Sequence, residues 1–271
     1  MSPWWIVVCF AFVLIGVTKS GFGSGLGLIV VPIMAIAAEG LRAQGLGAEA
    51  ALGMMLPLLI VGDLFALWQQ RKHASLALVR PLLVPTVLGV ALGSLFLFVA
   101  HRHKQYAAAL INLDIGFESV LLVGLHWYRT WRRDDPGHVF RPRPWHNRVA
   151  GATAGVSSTL AHGAGPIVAL YLLPQRPAKQ AFVGTCALFF FLLNTIKLPG
   201  YWWAGQFTAA PVGTTMRFVP LVLVGGLLGW WLNRRINDKL FGQIVYTGTF
   251  VLGWYLLWVG GTQLAHQLRQ G

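Results

Sequence analysis

The stretch SSTLAHGAGPIVALYLL, from Ser157 to Leu173, decides how this chain folds. It sets a histidine, small residues and a proline in the middle of an apolar run. A plain membrane-spanning helix avoids such a cluster. Irregular backbone at membrane depth is tolerated only where protein buries it or water reaches it. A second break of the same kind, KSGFGSGLG, occupies Lys19–Gly27. Each break exposes free backbone N–H groups at the start of a half-helix, and those groups favour an anion. The glycines allow a ligand to approach the backbone closely. Pro166 suits the first turn of a helix, where its missing donor costs nothing.

The surrounding chain is a membrane protein. Of its 271 residues, 56% are hydrophobic and 11% charged, with a mean hydropathy of +0.62. A soluble domain carries about a quarter charged residues. The apolar stretches are 4–38, 49–68, 78–100, 106–128, 149–173, 180–203, 213–232 and 240–260. Each is near or above the ~20 residues that span a bilayer. The start, MSPWWIVVCFAFVLIG, lacks a basic region and a small-residue cleavage site, and reads as the first membrane helix rather than a removable signal. A net charge of +13 would admit a nucleic-acid partner. Here, however, the basic residues sit in short loops between apolar runs, where they act as topology signals. No nucleic-acid-binding motif accompanies them.

The loops also choose between two topologies. If both broken stretches are single crossings, Lys and Arg divide 10 to 8 between the two sides, almost without bias. If each enters and leaves on one face, as a hairpin or re-entrant pair, the division is 14 to 4. The positive-inside rule selects the second scheme. Both termini then lie outside, and Arg129–Arg148 is a cytoplasmic loop.

The halves repeat. Gly23 and Gly25 in the first break match Gly163 and Gly165 in the second. Gly53 and Asp63 match Gly184 and Asn194, and Gly89 and Gly93 match Gly225 and Gly229. The expected fold is an all-α polytopic transmembrane helical bundle of two inverted-topology repeats. Each repeat has a broken or re-entrant helical hairpin plus three transmembrane helices, as in many secondary transporters. Residues 1–128 form the first repeat, 129–148 the linker loop and 149–271 the second repeat.

These residues also carry a family resemblance. GVTKSGFGSGLGLIVVPIMA, HGAGPIVALYLL and KQAFVGTCALFFFLLNTIKLPGYWWAGQF resemble the two halves of the sulfite exporter TauE/SafE family of bacterial membrane permeases. The resemblance covers nearly the whole chain. It implies a carrier in the bacterial inner membrane that moves sulfite, sulfoacetate or related small anions, usually outward. The motifs identify the family well and the substrate poorly.

Ionisable residues inside membrane stretches are rare and costly, so each becomes a candidate. Lys19 could neutralise an anionic substrate, or could reach an interface. His162 could donate to an oxyanion or carry a proton. Asn194 and Lys197, three apart, share a helix face, and Asp63 occupies the position matching Asn194. The amide and the carboxylate could divide substrate binding from ion coupling. Asp114 and Glu118 are four apart, and two like charges on one face repel unless one is protonated or a cation is near. Proton coupling is one reading, and a structural pair with Lys19 or Arg217 is the other. Ser24 and Thr185 offer hydroxyls near the breaks. Substrate binding is thus assigned to Lys19, Gly23, Ser24, Gly25, His162, Gly163, Gly165, Thr185, Asn194 and Lys197. Ion coupling is assigned to Asp63, Asp114 and Glu118.

Enzymatic readings are weaker. Ser24 lacks the flanking glycines of a nucleophile elbow, since Phe22 and Leu26 stand there. No His, Cys and Asp cluster has metal-ligand spacing, and no cofactor is implied. Cys9 and Cys186 both lie in apolar stretches and read as packing residues. A secondary transporter of a small oxyanion or organosulfonate is therefore expected, in contact with the lipid bilayer and without nucleic acid. A homodimer is one oligomeric state this admits. A passive anion channel and a membrane scaffold or sulfur-relay protein are the rival readings.

Overall fold

The computed structural model describes residues 3–22, 29–44, 48–102, 104–132, 141–207, 212–233, 235 and 238–270. Every regular element among the described residues is helical. The α-helices are α1 (Trp4–Phe22), α2 (Val30–Gly40), α3 (Ala48–Gln70), α4 (Leu76–Arg102), α5 (Lys104–Arg132), α6 (Pro144–Ala161), α7 (Ala164–Leu172), α8 (Lys179–Trp203), the single turn α9 (Val212–Thr215), α10 (Val219–Asn233) and α11 (Asp238–Gln270). Five of them, α1, α3, α4, α5 and α8, are long and apolar enough to cross a membrane. Val84, Leu88 and Leu92 form an exposed apolar stripe on α4, as a lipid-facing helix requires.

Both broken stretches fold back on themselves. The end of α2 lies beside the start of α1, since a Cβ on Gly40 would run into the Trp4 ring. In the second stretch Tyr171 Oη donates to Asn147 Oδ1 at 2.8 Å, which puts the end of α7 beside the start of α6. Local chemistry sets the α6 boundary. Pro144 occupies the first helical position after an extended Arg143. The Arg143 N–H donates to His146 Nδ1 at 2.9 Å, and the His146 N–H returns to the Arg143 carbonyl at 3.0 Å. The linker expected at 129–148 is thus shortened, with α5 running on to Arg132 and α6 starting at Pro144.

Glycines let helices of the two halves meet at backbone distance. A Cβ on Gly89 of α4 would strike the Ala152 carbonyl of α6, and one on Gly93 would strike Thr159. Likewise Gly225 and Gly229 of α10 lie against the Val13 and Val17 carbonyls of α1. In both pairs residue numbers rise together, so the helices run parallel. The pairs α3 with α8 and α5 with α11 run antiparallel. Gly53 abuts Gln206 while Gly184 abuts Gln70, and Gly116 abuts Gly253 while Gly260 abuts Ala109. The α3–α8 crossing lies at the heart of the bundle, between a large apolar core on α1–α3 and a second on α4 and α6–α8.

Candidate functional site

The site grows from the turn between α6 and α7. His162 closes α6 in the left-handed conformation, φ 51° and ψ 24°, which histidine enters more readily than most residues. The His162 and Gly163 amides donate back to the Ser158 and Ser157 carbonyls at 3.1 and 3.2 Å. The turn points the imidazole at α8. Lys197 Nζ donates to His162 Nδ1 at 2.9 Å, to the Ser158 carbonyl at 2.9 Å and to Ser158 Oγ at 3.0 Å. That uses all three ammonium donors. His162 Nδ1 is therefore an acceptor, and its Nε2–H faces the Leu52 carbonyl at 3.3 Å. Lys197 is fully buried. Among the described residues no carboxylate forms an ion pair with it.

The second cation comes from the other broken stretch. Lys19, in the last turn of α1, places Nζ 2.6 Å from Asp63 Oδ1. This is an ion-pair contact whose direction falls outside hydrogen-bond geometry. The same ammonium lies 4.4 Å from the centre of the Phe190 ring. Asp63 is fully buried on α3, and its Oδ2 accepts from Asn194 Nδ2 at 2.6 Å. Asp63 and Asn194, the candidates for ion coupling and substrate binding, are brought into direct contact where α3 crosses α8. A small cavity of about 30 Å³ opens among Lys19, Ser158, His162, Gly165, Phe190 and Asn194. It has room for water-sized groups. Two ammonium groups thus share this buried region with one carboxylate.

Other candidates lie elsewhere. Glu118 and Asp114 sit behind the α6–α7 turn. Ser157 Oγ donates to Glu118 Oε2 at 2.8 Å, and a Cβ on Gly163 would collide with both of those atoms. Glu118 therefore pairs with Ser157, while Lys19 is taken by Asp63. Thr185 is placed away from the cluster. Its Oγ1 accepts the Ser75 N–H at 3.0 Å, nine residues and about 14 Å along α8 from Asn194. Gly23, Ser24 and Gly25 lie outside the described residues.

Neither Ser158 nor Tyr201 was among the candidates drawn from the sequence. The Tyr201 hydroxyl, fully buried, donates to the Thr159 carbonyl at 2.6 Å and braces α6 against α8. The signal was present, because Tyr201 follows Lys197 by four residues and so shares its face. Also missed was the cluster joining α2, α5 and α11, where Asn112 Nδ2 donates to Glu39 Oε1 at 3.0 Å and to Gln263 Oε1 at 3.2 Å.

The family model for the sulfite exporter TauE/SafE matches residues 8–256. The chain belongs to that family. No curated protein and no solved structure matches it. Membership makes this a membrane transport protein, which is consistent with a role other than catalysis. Lys19, Asp63, His162, Asn194 and Lys197 all fall inside the matched range. The apolar helices and the family together make it a multi-pass permease.

Proposed function

We propose that the protein is a secondary transporter that exports sulfite or a small organosulfonate across the bacterial inner membrane. Its substrate site lies between the two broken hairpins. The observation that carries this reading is the charge imbalance in the buried core. Lys19 is matched by Asp63, whereas Lys197 has polar partners and no carboxylate partner among the described residues. A buried charge is normally paired. A monoanion bound beside His162 and Ser158 would supply the missing partner, and Asn194 lines the same cavity.

The transport cycle in this reading needs two related halves. Residues 1–128 and 149–271 are the two inverted repeats in this proposal. Exchange of α1 with α6, α3 with α8, α4 with α10 and α5 with α11 turns the parallel α1–α10 contact into α6–α4, which is also parallel. It leaves the antiparallel α3–α8 and α5–α11 pairs as self-related contacts, as an axis in the membrane plane requires. Asp63 and Asn194, matched in sequence, then meet on that axis. The termini lie outside, and the arginines of 129–148 face the cytoplasm. Proton coupling through Asp114 and Glu118 completes the proposal.

The test is flux from proteoliposomes loaded in turn with sulfite, sulfoacetate, sulfate and chloride. Saturable efflux of a sulfur anion, enhanced by an opposing proton gradient, is expected. No flux of any sulfur anion, beside an active control carrier in the same vesicles, refutes the substrate assignment. Flux that never saturates refutes the carrier mechanism in favour of a channel.

A further inference from the structure

We infer that the lateral cavity bounded by α5, α6 and α7 binds a lipophilic monocation. This cavity, about 1,020 Å³, lies behind the α6–α7 turn and apart from the Lys19–Lys197 cluster. Its volume matches pockets that take small organic ligands. Phe117, Leu121, Leu125, Val149, Val156 and Leu160 supply apolar walls. Asp114 and Glu118 open onto the same space. Among the described residues the Ser157 hydroxyl is the one hydrogen-bond donor to this carboxyl pair, and no Lys, Arg or His forms an ion pair with either. His146 also lines the cavity, at the far end, where it stacks on Trp145 with ring centres 3.7 Å apart.

Depth and chemistry narrow the occupant. Ser157, and the Glu118 carboxyl bonded to it, lie twelve residues beyond Trp145 on α6, about 18 Å along the helix axis. Trp145 and the exposed Arg141, Arg143 and Arg148 mark the water-facing end of that helix. A phospholipid headgroup stays at that end, because 18 Å of hydrocarbon separates it from the carboxyls. An acyl chain can reach the depth but brings no charge or donor to two carboxyls. A compact organic cation satisfies both the walls and the acids. Its apolar substituents meet the leucine, valine and phenylalanine faces, and its charge meets Asp114 and Glu118 in a low-dielectric setting where such pairing is strong. The site lies on the opposite face of the turn from the anion site; it shares Asp114 and Glu118 with the proton-coupling proposal, but its test reads equilibrium binding and needs no transport.

Tetraphenylphosphonium is the probe, because its charge is independent of pH. Tetraphenylborate has the same shape and the opposite charge. Equilibrium binding of each is measured on the full chain in nanodiscs, with empty nanodiscs subtracted. Saturable binding of the phosphonium at one site per chain is expected, with the borate at least about tenfold weaker. The Asp114→Asn, Glu118→Gln double variant is expected to weaken the phosphonium by about tenfold or more. Leu121→Trp changes an exposed wall residue and is expected to displace the probe without touching the acids, so loss of binding does not depend on the double variant folding well. Equal binding of the two probes overturns the inference. So does affinity unchanged in both variants, or an acyl chain filling the cavity in a map of the protein with the phosphonium present.

Discussion

Lys197→Met separates a functional cation from a structural one. The substitution keeps the unbranched shape and most of the length of the side chain and removes its charge. Two opposing effects act on stability. The buried ammonium carries a desolvation penalty of several kcal/mol, and methionine relieves it. Against that, His162 Nδ1 and Ser158 Oγ lose their donor, at about 1–3 kcal/mol for each buried group left unsatisfied, while the Ser158 carbonyl keeps the His162 N–H. The terms are of similar size, so the unfolding midpoint is expected to move by a few degrees only. The effect on an anion is one-sided. A unit charge about 4 Å away near a protein interior with effective dielectric ~20 contributes about 4 kcal/mol, which is roughly a thousandfold in affinity. Initial efflux rates against internal sulfite concentration, measured beside thermal unfolding of the same preparation, read both quantities. A KM raised by about a hundredfold to a thousandfold in a folded variant is expected. Lys197→Arg should not restore it, since a planar guanidinium does not reproduce the three-way donation of a compact ammonium. A folded Lys197→Met with KM unchanged refutes the assignment of the unmatched charge to substrate.

Three further outcomes follow from the same core. Asp63→Asn leaves the Lys19 ammonium without its counter-charge, and a broken buried pair costs about 3–5 kcal/mol. The Lys19→Met, Asp63→Leu double variant should regain most of that in chemical denaturation, so equal loss in single and double variants would count against the pairing. Gly225→Val drives a side chain into the Val13 carbonyl and should destabilise the fold by about 1–3 kcal/mol through overpacking, while the neighbouring exposed Val224→Ala should change unfolding little. Cys186→Ser and Cys9→Ser should keep sulfite flux, because both cysteines are free and Cys186 is buried in a helix interface. Loss of flux in a folded Cys186→Ser would favour sulfur-relay chemistry.

Much of this was legible because membrane physics restricts the choices. Apolar length set the helices, and the loop charges selected hairpins for both broken stretches, as the Trp4–Gly40 and Asn147–Tyr171 contacts now show. Glycines at close helix approaches were legible too, since such approach in lipid depends on small residues. Gly89 and Gly225 indeed lie at such approaches. Partnerships were not legible. Nothing in the spacing said that Lys19 would reach Asp63 rather than Glu118, or that Ser157 and Ser158, adjacent in sequence, would face opposite sides of one turn. Helical neighbours point about 100° apart. Ser157 therefore meets Glu118 on α5 while Ser158 meets Lys197 on α8. Apolar stretches do not give helix ends where polar residues continue the helix, as in α11, which runs to Gln270 beyond the apolar stretch ending at Gly260.

In the proposed two-repeat plan, the contact between Asp63 and Asn194 gives a reason for the paired positions to differ. Two aspartates 2.6 Å apart would have to share a proton, and two asparagines would leave Lys19 without a counter-charge. One of each lets Asn194 donate to Oδ2 while Oδ1 faces Lys19. The excess positive charge then stays on the side of Lys197 and the His162 turn. Asn194→Asp tests this directly. With both carboxyls ionised, the two acids cancel Lys19 and Lys197, and the attraction for an anion is lost. As pH falls, one shared proton returns and the net positive charge reappears. A folded Asn194→Asp variant should therefore carry a simple sulfonate, whose own charge is constant over the range, poorly at high pH and better at low pH. The native protein should show a flatter profile for the same sulfonate. Equal pH profiles for the two proteins would mean that the charge balance at the α3–α8 crossing does not set anion affinity.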